Sequence, residues 1–192
     1  MMTRGPKTGT ETDAVDLLIH QHKEIRGLIK QVGDKAGVAR AEAFDRLRRF
    51  LAVHETAEEE VVHPVARRSL DNGDEVVDAR LEEENESKKM LQALERMGPS
   101  AQGFDALFAE FGQAVLDHAE QEEREEFPEL KALGAAEMRV MAAAIKAAEA
   151  IAPTHPHPGV ETATRNLLVG PIAAVADRTR DIIRKAVGND DR

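Results

Sequence analysis

Apolar residues recur every three or four positions through most of the chain, a spacing that places side chains on one face of an α-helix. Four successive segments have this pattern, and stretches containing glycine or proline separate them. Segments that alternate between apolar and polar residues, as half-buried strands do, are missing from the sequence. It predicts helices over about residues 13–33, 40–69, 74–97 and 104–133. Because long helices with short connections pack as antiparallel neighbours, we expect an all-α fold, an up-down four-helix bundle.

The rest of the chain is predicted to form a tail and an extension. The first twelve residues are polar and lack a helical pattern. An alanine-rich stretch, 135–152, predicts a fifth helix, the proline-rich stretch 153–158 predicts a loop, and 160–186 predicts a last helix. We expect this extension to pack outside the bundle. The predicted parts are a disordered tail (1–12), a four-helix bundle (13–133) and a C-terminal helical extension (134–192).

The second and fourth predicted helices share a repeated pattern of residues. His54 and Glu58 in the second helix have the same spacing as His118 and Glu122 in the fourth, and a proline follows each histidine after ten residues. Apolar residues precede both histidines at matching offsets. The repeat predicts that the two helices are one element used twice and are related by a pseudo-two-fold axis.

Histidine and glutamate side chains lie on the apolar faces of these helices. Residues four apart occupy one face of a helix, so each His-x3-Glu pair points toward the predicted core. A buried carboxylate without a partner is costly, and cations are the simplest way to satisfy several of them together. The first and third helices each add one inward polar group. The predicted metal ligands are His22, His54, Glu58, Glu84, His118 and Glu122.

Imidazole and carboxylate ligands together suit iron, manganese or zinc, and inward carboxylates on facing helices can bridge two ions. We expect Glu58 and Glu122 to be the bridges because they are related by the repeat. In this assignment His22 and His54 complete one ion, and His118 and Glu84 complete the other. The alternative to a metal site is a helical bundle whose inward polar groups bind only one another.

Several other polar residues near these positions have alternative interpretations. Glu123 replaces Glu122 as a bridge if the fourth helix is rotated about its axis. On a straight helix His63 points away from His54, whereas a kink at Pro64 swings it inward, as a ligand or as a residue that supports one. His20 lies on the opposite side of its helix and is expected to face solvent.

Composition excludes several function classes. The chain has no Cys, so disulfides, thiolate metal sites and Cys nucleophiles are excluded. With 26 basic and 36 acidic residues, a net charge of −10, and neither Trp nor Tyr, it lacks the features of a nucleic-acid-binding protein. The start of the chain is polar, and no stretch of 18 apolar residues occurs. We therefore expect a cytoplasmic protein without a membrane partner.

The motifs together resemble the hemerythrin-like family, also called the HHE cation-binding domain. The resembling stretches are residues 13–22, 54–64, 81–94 and 118–128, so the resemblance covers about residues 13–133. It implies a four-helix bundle that holds two non-haem iron ions, with manganese or zinc as less suitable metals. The ligands that the resemblance implies are His22, His54, Glu58, His118 and Glu122.

Two positions depart from the family pattern. Gln21 stands where family members usually have Asp, and Glu84 stands where they usually have His on the third helix. The resemblance implies binding or turnover of O2, hydrogen peroxide or nitric oxide, in oxidative or nitrosative stress. Because an added anionic ligand favours Fe(III), we expect peroxide or O2 chemistry, such as catalase-like peroxide decomposition, rather than reversible O2 carriage. The alternative is a sensor of iron, O2 or nitric oxide that signals to a protein partner without turnover.

Overall fold

A computed structural model describes residues 13–155, which form seven α-helices and two short π-helical turns and contain no strand. The predicted all-α bundle is confirmed. The predicted tail, the last predicted helix and most of the proline-rich loop lie outside the described residues. The α-helices are α1 (Ala14–Asp34), α2 (Gly37–Ala57), α3 (His63–Ser69), α4 (Gly73–Met97), α5 (Phe104–Gln121), α6 (Phe127–Ala132) and α7 (Ala135–Glu149).

Two long bundle helices are built from α-helical halves that a π-helical turn joins. Glu58–Val62 connects α2 to α3, and Glu122–Glu126 connects α5 to α6. We call the joined elements the second bundle helix (37–69) and the fourth bundle helix (104–132); α1 and α4 are the first and third. All four agree with the sequence prediction to within three residues at each end.

Both π-helical turns lie immediately before the prolines of the repeat, Pro64 and Pro128. Proline lacks an N–H group, and its ring clashes with the carbonyl four residues earlier in a regular α-helix. The wider turn relieves this conflict, and each turn ends with a bond across five residues. His63 N–H donates to the carbonyl of Glu58, and Phe127 N–H donates to that of Glu122. The repeat seen in the sequence therefore includes a matching distortion of the backbone.

The ends of the helices follow from local chemistry. The side chain of Asp13 accepts a hydrogen bond from the N–H of Asp16 (2.8 Å) and caps α1. Between α3 and α4 the chain passes so close to itself that a Cβ at Gly73 would lie 2.4 Å from the carbonyl oxygen of Arg67. Only glycine fits there without a shift of the backbone, so the second and third bundle helices are joined by a tight connection.

The apolar core is divided into two clusters. The α7 cluster includes Leu18, Val61, Val77 and Phe127. The phenylalanine cluster includes Phe44, Phe104, Phe108 and Phe111. On each bundle helix the predicted metal ligands lie in sequence between residues of the two clusters. The inward polar residues therefore form a layer across the middle of the bundle, with hydrocarbon on both sides.

Helix α7 packs against α1 and the second bundle helix. Met138, Met141 and Ile145 are buried in the α7 cluster, together with Leu18 of α1. This fifth helix therefore completes one of the two apolar clusters, while the domain boundary after residue 133 stays a prediction. Within residues 13–155, none of the helices is both long and apolar enough to span a membrane.

Candidate metal centre

Five of the six predicted ligands converge in the polar layer. Glu58 Oε1 lies 3.3 Å from His54 Nε2 and 3.9 Å from His22 Nε2. Glu122 Oε2 lies 3.3 Å from His22 Nε2 and 3.6 Å from His118 Nε2. The side chains of His22, Glu58 and Glu122 have no exposed surface. The two carboxylates therefore lie between imidazoles of the first, second and fourth bundle helices.

Potential ligand atoms form three adjoining groups, and within each group they lie within 4.8 Å of one another. The groups are His22, His54 and Glu58; Glu58, His118 and Glu122; and His63, Glu122 and Glu126. Glu58 belongs to the first two groups, and Glu122 belongs to the second and third. A carboxylate that belongs to two adjacent groups is placed as a bridging ligand would be.

Each of four buried histidines has one ring nitrogen beside an oxygen acceptor. The pairs are His22 Nδ1 with Glu123 (2.8 Å), His54 Nδ1 with Gln21 Oε1 (2.9 Å), His118 Nδ1 with Glu83 (3.0 Å) and His63 Nε2 with Glu84 (2.6 Å). Histidines that bind metals usually donate their second N–H to a carboxylate or carbonyl oxygen, which fixes the ring and its tautomer. The arrangement therefore leaves one nitrogen of each ring available for a metal.

Many of the remaining polar atoms are buried and have no hydrogen-bond partner. They include His22 Nε2, His118 Nε2, His63 Nδ1 and both carboxylate oxygens of Glu58, Glu122 and Glu126. A buried polar group that lacks its hydrogen bond costs about 1–3 kcal/mol, and charged groups cost more. Cations shared among these overlapping groups would satisfy the atoms, and imidazole nitrogens with carboxylate oxygens are ligands that iron, manganese and zinc accept. The residues present therefore fit a metal centre.

Glu84, the sixth predicted ligand, belongs to none of the three groups. Its Oε1 lies 2.6 Å from His63 Nε2 and 4.0 Å from His118 Nε2, and its Oε2 lies 3.4 Å from Lys88 Nζ. Metal ligation by Glu84 stays a prediction, although its two oxygens already have charged or hydrogen-bonding neighbours. Lys88 also contacts Glu59, so a buried ammonium group lies beside the centre.

His63 points into the bundle because of the π-helical turn before it. It follows His54 by nine residues, which is two and a half turns of a regular α-helix and places the two side chains on opposite faces. The extra residue in the π-helical turn rotates the following segment, and His63 becomes buried beside Glu84. The sequence predicts this inward orientation of His63 only if the helix is distorted at Pro64.

Three further residues close in sequence to the predicted ligands are Glu123, His20 and Glu126. Glu123 contacts His22 Nδ1 and Arg26 (3.0 Å). His20 is exposed, as expected. Sequence reasoning did not identify the buried Glu126 or the contact of Gln21 with His54. The available signal for Glu126 was its position four residues after Glu122, on the same helix face.

In the metal-free protein the carboxylates hold protons on three of the histidines. Burial by itself lowers the pKa of His22, but Glu122 and Glu58 outweigh it and raise the pKa to about 10. Burial also lowers the pKa of His118, but Glu122 outweighs it and the pKa rises to about 10. At His63, Glu84 outweighs burial and raises the pKa to about 9. Burial lowers the pKa of His54. A metal would have to displace protons from three rings.

These pKa values predict how the metal-free protein responds to pH. A histidine whose pKa is higher in the folded than in the unfolded state contributes stability below its unfolded pKa of about 6.5 and loses it as the pH rises through the folded value. The raised pKa values of Glu55 and Glu59, about 8, act in the same direction because burial favours their protonated forms. Thermal denaturation of chelated protein should therefore show a falling melting temperature between about pH 6.5 and 10. A melting temperature that rises over this range would contradict the arrangement of charges.

Comparison with known proteins gives three similarities. The family model described as hemerythrin HHE cation-binding domain matches residues 13–130. A crystal structure of a hemerythrin HHE cation-binding domain-containing protein from Mycobacterium kansasii is similar with a TM-score of 0.62, is 20% identical, and the match covers 87% of this chain and 98% of that one. A DNA nickase from Nostoc sp. is 33% identical over 82 residues, which are 43% of this chain and 23% of that protein. The chain thus spans about a quarter of the length of this curated relative.

Proposed function

Because the chain belongs to the hemerythrin HHE cation-binding domain family, we propose that it is a non-haem di-iron protein that binds or turns over O2, hydrogen peroxide or nitric oxide. Membership of this family confirms the resemblance inferred from the motifs. The observation that carries the proposal is the convergence of buried imidazole and carboxylate atoms without hydrogen-bond partners in the middle of the bundle. A role in oxidative or nitrosative stress, in the cytoplasm, is part of the same proposal.

Five side chains would hold the two ions. His22 and His54 would hold the first ion and His118 the second, and Glu58 and Glu122 would be shared between them. What supports this assignment is that Glu58 belongs to both groups that contain these histidines, and that Glu122 Oε2 lies 3.3 Å from His22 Nε2 and 3.6 Å from His118 Nε2. Two bound iron ions would supply adjacent one-electron redox centres that react with small oxygen- or nitrogen-containing ligands. The sequence predicts Glu84 as a sixth ligand, on the second ion, but its carboxylate belongs to none of the three groups.

The residues around the centre orient the imidazoles and restrict what can reach them. Gln21, Glu83 and Glu123 each contact the outer nitrogen of one histidine. A cavity of about 10 Å³ adjoins the histidines, which is about the size of a site for one water molecule. Its lining combines apolar Ile25 and Leu51 with the inward histidines. A cavity of this size favours a diatomic or peroxide ligand over an organic substrate.

Peroxide turnover tests the enzymatic form of the proposal. Purified protein should contain iron near two ions per chain, and iron-loaded protein should decompose added peroxide to water and O2. His54→Ala and His118→Ala should each lower the rate at least about tenfold, because supporting residues alone cost a metal site 10–100-fold. His20→Ala, a change of an exposed histidine on α1, is the matched control. Zinc or no metal in the wild type would contradict the proposal.

The response to O2 separates redox chemistry from reversible carriage. When the reduced iron-loaded protein is mixed with O2, we expect its visible spectrum to change without recovery under vacuum. The reason is the anionic environment, in which Glu84 replaces the imidazole that family members usually have. A visible band that forms with O2 and disappears under vacuum would instead identify an O2 carrier.

A second candidate function is sensing without turnover. A continuous set of contacts leads from the centre to α7: His54 Nδ1 lies 2.9 Å from Gln21 Oε1, and the Gln21 amide donates to Glu149. A change at His54 can therefore reach a helix that lies beyond the four bundle helices. Ligand binding that alters hydrogen exchange in α7 while leaving peroxide unconsumed would favour a sensor.

The proposed partners of the centre are small ligands. The relative called a DNA nickase is matched over 23% of its own length. The net charge of −10 disfavours contact with a phosphate backbone. We therefore propose no nucleic-acid partner. A sensor would need a protein partner.

A further inference from the structure

The repeat that builds the two halves of the centre is broken at two positions. His54 and Glu58 correspond to His118 and Glu122, but the correspondence fails four and five residues after each glutamate. Phe127 in the fourth bundle helix takes the place of His63, and Val62 in the second takes the place of Glu126. Each half of the repeat therefore has one apolar and one polar residue, at exchanged positions.

The apolar pair lies on the side of the first ion. Phe127 stacks on His22, with ring centroids 5.5 Å apart and ring planes 19° apart. Val62 is fully buried in the α7 cluster. On this side His22 of the first bundle helix supplies an imidazole in addition to His54, and Phe127 of the fourth bundle helix packs against it.

The polar pair lies on the side of the second ion. The pseudo-two-fold relation that the repeat predicts would pair the first bundle helix with the third, and so His22 with Glu84. His63 contacts Glu84 as Phe127 contacts His22. On the first side the imidazole belongs to His22 and its neighbour is Phe127. On the second side the imidazole belongs to the neighbour, His63, and the third bundle helix supplies the carboxylate of Glu84.

We propose that His63 and Glu126 are ligands of the second ion, together with His118 and Glu122, and that Glu84 is a positioning residue that orients His63. This inference rests on the proposed two-ion function and deepens it. It accounts for the missing histidine of the third bundle helix, because an imidazole from another helix takes over its role. The two ions then have different surroundings.

The atoms of His63 and Glu126 are placed as ligands would be. His63 is 2% exposed, its Nε2 bonds Glu84, and its Nδ1 is buried with no hydrogen-bond partner. Glu126 has no exposed surface, and neither of its carboxylate oxygens has a hydrogen bond, although Arg80 Nε lies 3.8 Å from Oε1. Both residues offer an atom within 4.8 Å of a Glu122 oxygen. A metal-binding histidine usually donates the N–H of its other ring nitrogen to a carboxylate, as His63 Nε2 is placed to do toward Glu84.

The contacts of Glu84 suit a positioning residue. One oxygen lies beside His63 Nε2 at 2.6 Å, and the other lies 3.4 Å from Lys88 Nζ. Lys88 is buried and also contacts Glu59, so the second oxygen of Glu84 faces a buried ammonium group rather than an open coordination position. Because both of its oxygens have partners, Glu84 can fix the His63 ring without binding the ion itself.

Metal stoichiometry tests the ligand assignment. Chelated protein is reloaded with Fe²⁺ under anaerobic conditions, desalted, and analysed for iron per chain. His63→Phe and Glu126→Val introduce the residues that the repeat has at the equivalent positions, and each should reduce the stoichiometry from two ions to one. Glu129→Gln, an exposed change on the same bundle helix, should keep two. Two ions with unchanged affinity in both site variants would overturn the assignment.

A cavity variant separates ligation from a contribution to folding. His63→Ala removes the ring and leaves space for free imidazole. Added imidazole should restore the second iron ion in this variant, and circular dichroism of the chelated protein should show that the helices are retained. If His63→Phe fails to fold, the imidazole experiment decides alone. Failure of imidazole to restore the second ion in folded protein would overturn the proposal.

Two substitutions of Glu84 distinguish orientation from direct binding. Glu84→Gln keeps an oxygen that can accept the His63 N–H, so this variant should still bind two ions, whereas Glu84→Ala should bind one. Loss of an ion in both variants would show that Glu84 is itself the ligand. A wild-type protein that binds no metal would overturn the proposed function, whereas two ions in wild type and in His63→Phe would overturn only this inference.

Discussion

Replacement of Glu58 with alanine is expected to remove most of the bound metal. Glu58 belongs to two of the three groups of ligand atoms and lies 3.3 Å from His54 Nε2. Loss of this carboxylate removes an anionic ligand from both ions together. Metal affinity should fall by more than about 100-fold, since even supporting residues cost 10–100-fold. Elemental analysis of desalted protein and titration with Fe²⁺ measure the loss.

Two further variants make the Glu58 result specific. Glu58→Gln keeps the volume of the side chain while removing its charge, and should lose metal nearly as completely as Glu58→Ala. Glu86→Gln removes an exposed carboxylate from α4 and should bind as much metal as the wild type. If Glu58→Ala retains two ions per chain at wild-type affinity, the bridging role is wrong.

Removal of the metal from the wild type is expected to destabilise the bundle. The centre leaves buried imidazole and carboxylate atoms without hydrogen-bond partners, so ion binding compensates groups that otherwise oppose folding. Free metal at about a thousand times the dissociation constant stabilises the folded state by about 4 kcal/mol per site. For a chain of this size that corresponds to a rise in melting temperature of about 8–16 °C for each occupied site. Calorimetry of loaded, chelated and reloaded protein measures it.

The stability experiment has an internal control in the Glu58 variant. Added iron should raise the melting temperature of the wild type and leave that of Glu58→Ala nearly unchanged, each compared with its own chelated form. Equal melting temperatures for loaded and chelated wild type would mean that metal binding makes no contribution to folding.

The helices could be predicted because their determinants are local. The three-to-four-residue spacing of apolar side chains and the glycine and proline residues between segments located all four bundle helices. The same spacing identified the five side chains that converge in the polar layer, because residues four apart share a helix face. Glu84 was also correctly expected to be buried, since it lies within the apolar stripe of its helix.

The orientation of His63 depends on a backbone distortion that regular helical geometry does not anticipate. A regular helix directs His63 away from the centre, and the π-helical turn before Pro64 reverses this. The two oxygens of Glu84 were then found beside His63 and Lys88, residues that sequence spacing alone does not connect to it. The packing of α7 into the core likewise depends on contacts between residues far apart in the chain.

By itself, the sequence determined the family, the four bundle helices and the side chains that face their common interior, because each of these follows from residue types at fixed spacing. Only the tertiary structure decided which nitrogen of each histidine is free, which carboxylates lie between the imidazoles, and where the fifth helix packs. These properties depend on distances between atoms of different helices. Such distances are set by packing and by the π-helical turns, which regular periodicity does not describe.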